Sequence, residues 1–219
     1  MAIDKPSGLA SHSLTETDAS CESILKAESP DADLRLVHRL DTGTSGVLLF
    51  AKGEIIFNEM RELFKLKRIQ KRYLAWSEKT EGRAKLMTEM GLPYRMEWSL
   101  AHHPKSKKRM IAIPPDVTRT FRGKPILAVT LIHGVREDDF FKIPSFRFEI
   151  EIITGVMHQI RVHLQSLGFA LIGDAIYEKP LRDPLVRLAL HALSIEFELR
   201  AVNYRVVSPE ISTKNVELL

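Results

Sequence analysis

Residues 146–152 set the terms on which this chain can fold. Phe146, Phe148, Ile150 and Ile152 alternate with Arg147, Glu149 and Glu151. A period of two puts every apolar side chain on one face, so the stretch reads as a half-buried β-strand. Further strands are expected at 47–51, 69–76, 126–133 and 195–199. Helices are expected at 52–66, at 158–167 and, as one short turn, around 21–26. Strands outnumber helices and do not alternate with them in βα fashion. The expected architecture is therefore α+β, a mostly antiparallel mixed sheet flanked by short helices and loops.

The strand at 47–51, Val-Leu-Leu-Phe-Ala, is continuously apolar and short enough to be buried on both faces. It follows a tight run, His38-Arg39-Leu40-Asp41-Thr42-Gly43-Thr44-Ser45-Gly46. Gly43 and Gly46 allow a sharp bend or a close approach to a ligand. Asp41 thus stands where a loop meets a rigid strand, with cationic neighbours. That suits a catalytic carboxylate. It equally suits an Asx turn or a loop cap.

Before this run, Asp4-Lys5-Pro6-Ser7-Gly8 is a turn signal, with so few apolar residues ahead of it that any leading strand is expected to be truncated or absent. The helix at 52–66 carries Ile56, Met60, Leu63 and Phe64 on one face and ends in Lys65, Lys67, Arg68, Lys71 and Arg72. Cations at a helix C-terminus are favoured by its dipole, which accounts for part of that charge. The strand that follows carries Tyr73 and Trp76. Residues 81–124 show no clean period and read as long loops and short hairpins. They include the dense basic run Lys105-Ser106-Lys107-Lys108-Arg109. In the helix at 158–167, with Gly168 placed to cap it, Ile160, Leu164 and Leu167 face the core. His158 and Arg161, three apart, share another face. Residues 185–192 read as a short helix or loop.

The composition excludes several classes. With 219 residues, 27% charged and 44% hydrophobic, the chain is long enough for a substantial core. One cysteine, Cys21, rules out an internal disulfide, and with no signal peptide in view a reducing, cytoplasmic location is expected. No apolar run approaches the ~20 residues of a membrane helix. The net charge of +4, unevenly placed, permits a nucleic-acid partner. The histidines at 38, 102, 103, 158, 163 and 191 match no zinc spacing, so no metal is expected.

Three windows together resemble the RluA family of pseudouridine synthases: Asp4-Lys5-Pro6-Ser7-Gly8-Leu9; His38-Arg39-Leu40-Asp41 through Thr44-Ser45-Gly46; and His158-Gln159-Ile160-Arg161-Val162-His163-Leu164 through Gly168, Gly173-Asp174 and Tyr177. Lys71-Arg72-Tyr73-Leu74-Ala75 looks like the family's Lys-x-Tyr-x-Ala strand. Gly123-Lys124-Pro125 and Leu190-His191-Ala192 fit weaker positions. Four features depart from the pattern. Val156-Met157 replaces the usual Arg-Thr or Arg-Ser. No proline follows Gly168. The last strand lacks His-Pro, and the strand before the first turn is nearly missing.

The resemblance implies the pseudouridine synthase catalytic-domain fold and an RNA uridine isomerase without cofactor. It implies Asp41 as nucleophile, Arg161 as the cation that keeps Asp41 charged, and Tyr73 as the tyrosine stacking on the uracil. A base in a helical stack cannot react, so the target nucleotide must flip out, and Arg39 is the family's candidate to fill the space. His38, Thr44, His158 and Gln159, lying in the same windows, are expected to contact RNA. Lys71, Arg72, Lys107, Lys108 and Arg109 are expected to hold its backbone. Asp174 reads as a structural turn residue. A single catalytic domain over 1–219, without an N-terminal S4-type domain, acting as a monomer on ribosomal or transfer RNA, is expected. The competing readings are an RNA-binding module that keeps the fold without turnover and, ranked lower, a hydrolase with an aspartate nucleophile.

Overall fold

The computed structural model describes residues 1–13, 15, 18–178 and 186–211. In chain order the elements are β1 (Ala2–Lys5), α1 (Cys21–Glu28), β2 (Leu34–Leu36), β3 (Ser45–Lys52), α2 (Glu54–Lys65), β4 (Ile69–Glu78), α3 (Glu81–Glu89), β5 (Tyr94–His102), β6 (Met110–Ile113), β7 (Arg122–Phe140), β8 (Ile143–Ile152), α4 (Gln159–Ser166), β9 (Leu190–Leu199) and β10 (Val202–Val207). The expected α+β class is observed. The chain divides into two compact units, Met1–Arg72 with His191–Glu210, and a second built on Tyr73–Leu190. The chain crosses between them inside β4 and at the start of β9, so no Gly- or Pro-rich linker marks the boundary in the sequence.

In the first unit β3 pairs antiparallel with β1 and β2, and parallel with β9, which pairs antiparallel with β10. β3 is buried from Ser45 to Ala51, as its unbroken apolar run requires. Val47, Leu49, Met60, Ile69 and Ile195 form the core here, with Ile56, Leu63 and Phe64 of α2 packed against them. β1 is the truncated form of the strand expected before the first turn, four residues long. Short as it is, it forms because β3 offers it a full register, Ala2 opposite Leu49 and Lys5 opposite Gly46. Gly46 is needed in that register for a second reason. Its φ is +108°, and a Cβ there would lie 2.2 Å from the Ala192 carbonyl oxygen of β9.

In the second unit the strand order is β4-β8-β7-β5-β6. β7 and β8 form one long antiparallel hairpin. It closes through Phe141 and Lys142, both left-handed at φ 49° and 65°. A two-residue turn with both φ positive matches the strands' twist. Neither residue is Gly or Asn, so the sequence shows two strands but not the hairpin joining them. α3 replaces loops expected at this point. Thr80 caps it, and Arg83 fixes it by donating to the Gly168 carbonyl at 2.9 Å and to Glu178 at 2.8 Å. α4 is buried from Gln159 to Leu164 rather than on one face only. Gly168, at φ +90°, ends it as expected, with Phe169 N–H donating to Leu164 O at 2.8 Å. Leu185 lies outside the described residues; from Leu190 the chain is strand. β10, exposed along nearly its whole length, had no burial pattern to reveal it.

Candidate active site and nucleic-acid interface

The turn that carries Asp41 is held from below by the turn before it. Lys5 is fully buried, at 0% exposure. Its ammonium donates to three carbonyls, those of Pro6 at 3.0 Å, Leu9 at 2.6 Å and Thr42 at 3.0 Å. Gly8 N–H donates to the same Thr42 oxygen at 2.9 Å. Ser7 Oγ donates to Gly43 O at 2.6 Å. Ser11 bonds both backbone groups of Leu40, at 2.9 and 3.0 Å. Thr44 N–H donates to Asp41 O at 3.0 Å and closes the turn. The backbone on both sides of half-buried Asp41, at Leu40, Thr42 and Gly43, is thus tied to groups outside the turn. The Lys-Pro-Ser-Gly signal identified a turn, but not that its lysine is the brace.

The flanking residues divide. Arg39 is exposed, with Nη1 3.4 Å from His12 Nε2. His38 turns inward: Leu49 N–H donates to its Nε2 at 3.1 Å. An imidazole used as acceptor must be neutral, and burial, aided by the Lys71 charge, pushes its pKa down to about 3. Thr44 is buried in the turn. Ser45 Oγ bonds His191 Nδ1 at 2.8 Å, joining β3 to β9.

Lys71 is nearly buried, with Nζ 5.9 Å from the Phe64 ring centroid. Burial pushes its ammonium down to about 8. Strand alternation explains why it differs from a solvent-facing phosphate contact. Ile69, Lys71 and Tyr73 face inward on β4, while Arg72 is exposed. The basic run seen in the sequence is thus split by the pleat.

In the second unit, Tyr73 is buried to 8% exposure on β4. Arg161, on α4, forms a two-pronged pair with Asp174: Nε donates to Oδ2 at 2.8 Å and Nη2 to Oδ1 at 2.7 Å. His158 is not on the helix face expected. It is the N-cap, left-handed at φ 57° and ψ 19°, and its Nδ1 lies 2.8 Å from the Tyr177 hydroxyl. Gln159 is buried and its amide is committed to the protein. It donates to Val129 O and Thr130 Oγ1, both at 2.9 Å, and accepts from Thr154 Oγ1 at 2.8 Å and Val156 N at 3.1 Å. The expected RNA contact from Gln159 is therefore replaced by a structural role. Val156, where the family has arginine, packs against the core of Leu100, Met110, Ala128 and Tyr177.

Lys105, Lys107, Lys108 and Arg109 are exposed between β5 and β6. The segment is a tight loop, with His103 N–H donating to Arg109 O at 2.9 Å and Lys108 N–H to Ser106 Oγ at 3.3 Å. A constrained backbone carrying several cations presents them together, which suits a phosphate backbone. No cluster of three or more His, Cys, Asp or Glu able to hold a metal occurs among the described residues.

The chain belongs to the RNA pseudouridylate synthase family, whose model matches residues 1–166, and its relatives are of the RluA type. It is 32% identical over 202 residues to the dual-specificity RNA pseudouridine synthase RluA of Vibrio cholerae, covering 90% of this chain and 73% of that protein. It is 32% identical over 197 residues to the ribosomal large subunit pseudouridine synthase C of Rickettsia bellii, covering 89% of this chain and 60% of that protein. The chain thus spans about 60% of the length of that relative. The solved structure titled human RNA pseudouridylate synthase domain containing 1 superposes with a TM-score of 0.76 at 20% identity, covering 95% of this chain and 79% of that one. At that identity the likeness concerns the fold.

Proposed function

We propose that this protein is an RNA pseudouridine synthase with Asp41 as its nucleophile. The observation that carries the reading is the Asp41 turn, braced by a buried ammonium and two serines at the mouth of a doubly buried strand, in a chain of this family. In the reaction the C1′–N1 bond of a uridine breaks, the base turns, and a C5–C1′ bond forms. C5 loses its proton and N1 gains one. Atoms and electrons balance without a redox partner, and nothing in the sum requires a metal.

Asp41 must be ionised to attack, and burial beside a flipped base would favour its protonated form. Arg161 opposes this as a fixed cation, able to meet a carboxylate through parallel hydrogen bonds. Tyr73 stacks on the uracil and assists loss of the C5 proton. Arg39, exposed beside the nucleophile, fills the place of the extruded base. The exposed cations Arg72, Lys107, Lys108 and Arg109 hold the backbone of ribosomal or transfer RNA; buried Lys71 has no such part. Residues 1–219 act as one catalytic domain, as a monomer in a reducing compartment.

The test is to incubate the purified protein with unmodified ribosomal and transfer RNA and count pseudouridine in nucleoside digests by chromatography. Stoichiometric conversion at a discrete uridine is expected. RNA bound at nanomolar to micromolar concentration with no pseudouridine formed would instead support the binding-module reading, which the loss of a cation at Val156 motivates.

A further inference from the structure

Asp174 stands in the turn after Gly173, where an aspartate commonly serves only its own backbone. It does serve it: Oδ1 accepts from Ile176 N at 3.0 Å and Tyr177 N at 3.2 Å. The same carboxylate also grips the Nε–Nη2 edge of Arg161 in fork-to-fork fashion. The two side chains keep only 7% and 0% exposure. Burying two charges costs several kcal/mol per ion, and apolar side chains of equal volume often replace such pairs without loss of stability. Stability is therefore a poor account of this pair. Orientation is a better one. A guanidinium is planar, so fixing one edge fixes the direction of every other N–H.

Tyr177 supplies a second constraint. Its ring centroid lies 5.2 Å from Arg161 Cζ. The ring is itself pinned, because its hydroxyl accepts Met110 N–H at 2.8 Å and bonds His158 Nδ1 at 2.8 Å. Met110 opens β6 and His158 precedes α4, so the support reaches two elements of the same unit.

We propose that Asp174 is the positioning residue for Arg161 in uridine isomerisation, with the Tyr177 ring as its second support. The inference rests on the function proposed above and adds to it a residue that does not touch the uridine. Asp174 and Arg161 are buried, so the clamp acts on turnover rather than on RNA affinity. It meets the exposed cations at Arg109, whose Cζ lies 5.6 Å from the Tyr177 ring centroid, and the comparison of kcat with affinity is therefore made on Asp174→Asn.

Asp174→Asn keeps the shape and the turn acceptor but removes the charge. At saturating RNA its kcat should fall by about a hundredfold, the size of effect a misplaced catalytic group produces. KM and the RNA dissociation constant should stay within about threefold of wild type. Asp174→Glu should recover part of the loss, and Tyr177→Leu should lose more turnover than Tyr177→Phe, which keeps the ring. If Asp174→Asn fails to fold, the glutamate and the two tyrosine variants carry the same comparison.

A readout independent of activity is the 15N spectrum of the Arg161 side chain. Wild type should show separate Nη signals from slowed rotation about Nε–Cζ, merging in Asp174→Asn. A folded Asp174→Asn with wild-type kcat, a parallel loss of kcat and RNA affinity, or an unchanged Arg161 spectrum would overturn the proposal. Should wild type form no pseudouridine in any RNA offered, the functional reading fails, and the Arg161 spectrum alone then decides the clamp.

Discussion

Replacing Lys5 by methionine removes the brace under the Asp41 turn while keeping its aliphatic stem. Three carbonyls, of Pro6, Leu9 and Thr42, lose a charged donor at 2.6–3.0 Å. A hydrogen bond from a charged group contributes about 1.5–3 kcal/mol. Against this, the variant no longer buries an ammonium, which relieves a desolvation cost of several kcal/mol. A buried carbonyl left without its donor costs about 1–3 kcal/mol. We take about 3 kcal/mol, since Gly8 N–H still serves the Thr42 oxygen. For a chain of this size each kcal/mol moves the melting point by about 2–4 °C, so a fall of about 6–12 °C is expected. Urea denaturation gives the free energy, and amide exchange at Gly8 and Thr44 reports the turn directly. Both amides should exchange faster in Lys5→Met, even well below its melting point. A variant within about 0.5 kcal/mol of wild type, the range of an ordinary surface substitution, with unchanged exchange at both amides, would refute the reasoning.

Further outcomes follow from the same coordinates. Gly46→Ala combines a φ of +108° with a Cβ 2.2 Å from Ala192 O; backbone strain alone costs about 1–3 kcal/mol, so urea unfolding should show at least that loss, and a neutral variant would mean that β3 and β9 separate easily. His38 and His163, held neutral by burial at pKa values of about 3 and about 4, set an acid limit. The unfolded chain binds those protons near pH 6.5 and the folded chain does not, so stability is full above 6.5 and drains as pH falls toward 4, by about 3 kcal/mol per histidine. His38→Gln, which still offers Leu49 N–H an acceptor, should flatten that profile; an unchanged slope would show that His38 is already charged. Reversing Lys107 and Lys108 to glutamate should weaken RNA binding and shallow the salt dependence by about 0.7–0.9 per lost phosphate contact; an unaltered slope would mean the loop faces away from RNA.

Local chemistry was legible wherever one period governed a segment. The alternation at 146–152 is β8, the apolar run at 47–51 is the heart of β3, and Gly168 ends α4. What the sequence hides is decided by partners far along the chain. β1 has almost no apolar signal and exists because β3 offers it a register. α3 rests on Arg83 reaching Gly168 and Glu178, contacts that no local window contains. The β7–β8 hairpin turns on Phe141 and Lys142, which carry no turn signature. At the site, Asp41, Tyr73 and Arg161 were named from motif likeness, while Lys5 and Asp174, the groups that hold the Asp41 turn and the Arg161 guanidinium, read only as turn residues. The basic run across 65–72 misled because charge was read along the chain, whereas the pleat of β4 buries Lys71 and exposes Arg72. Gln159 misled for a related reason: a polar residue opening a helix looks available until the helix proves buried all round.

The central claim is that Asp41 attacks a uridine in RNA. Tritium release from RNA carrying uridine labelled at C5 tests it most directly, with wild type and Asp41→Asn compared at equal RNA occupancy. Wild type should release tritium to one equivalent per target site, while Asp41→Asn binds RNA as tightly and releases none. Equal release by the two proteins would contradict the account.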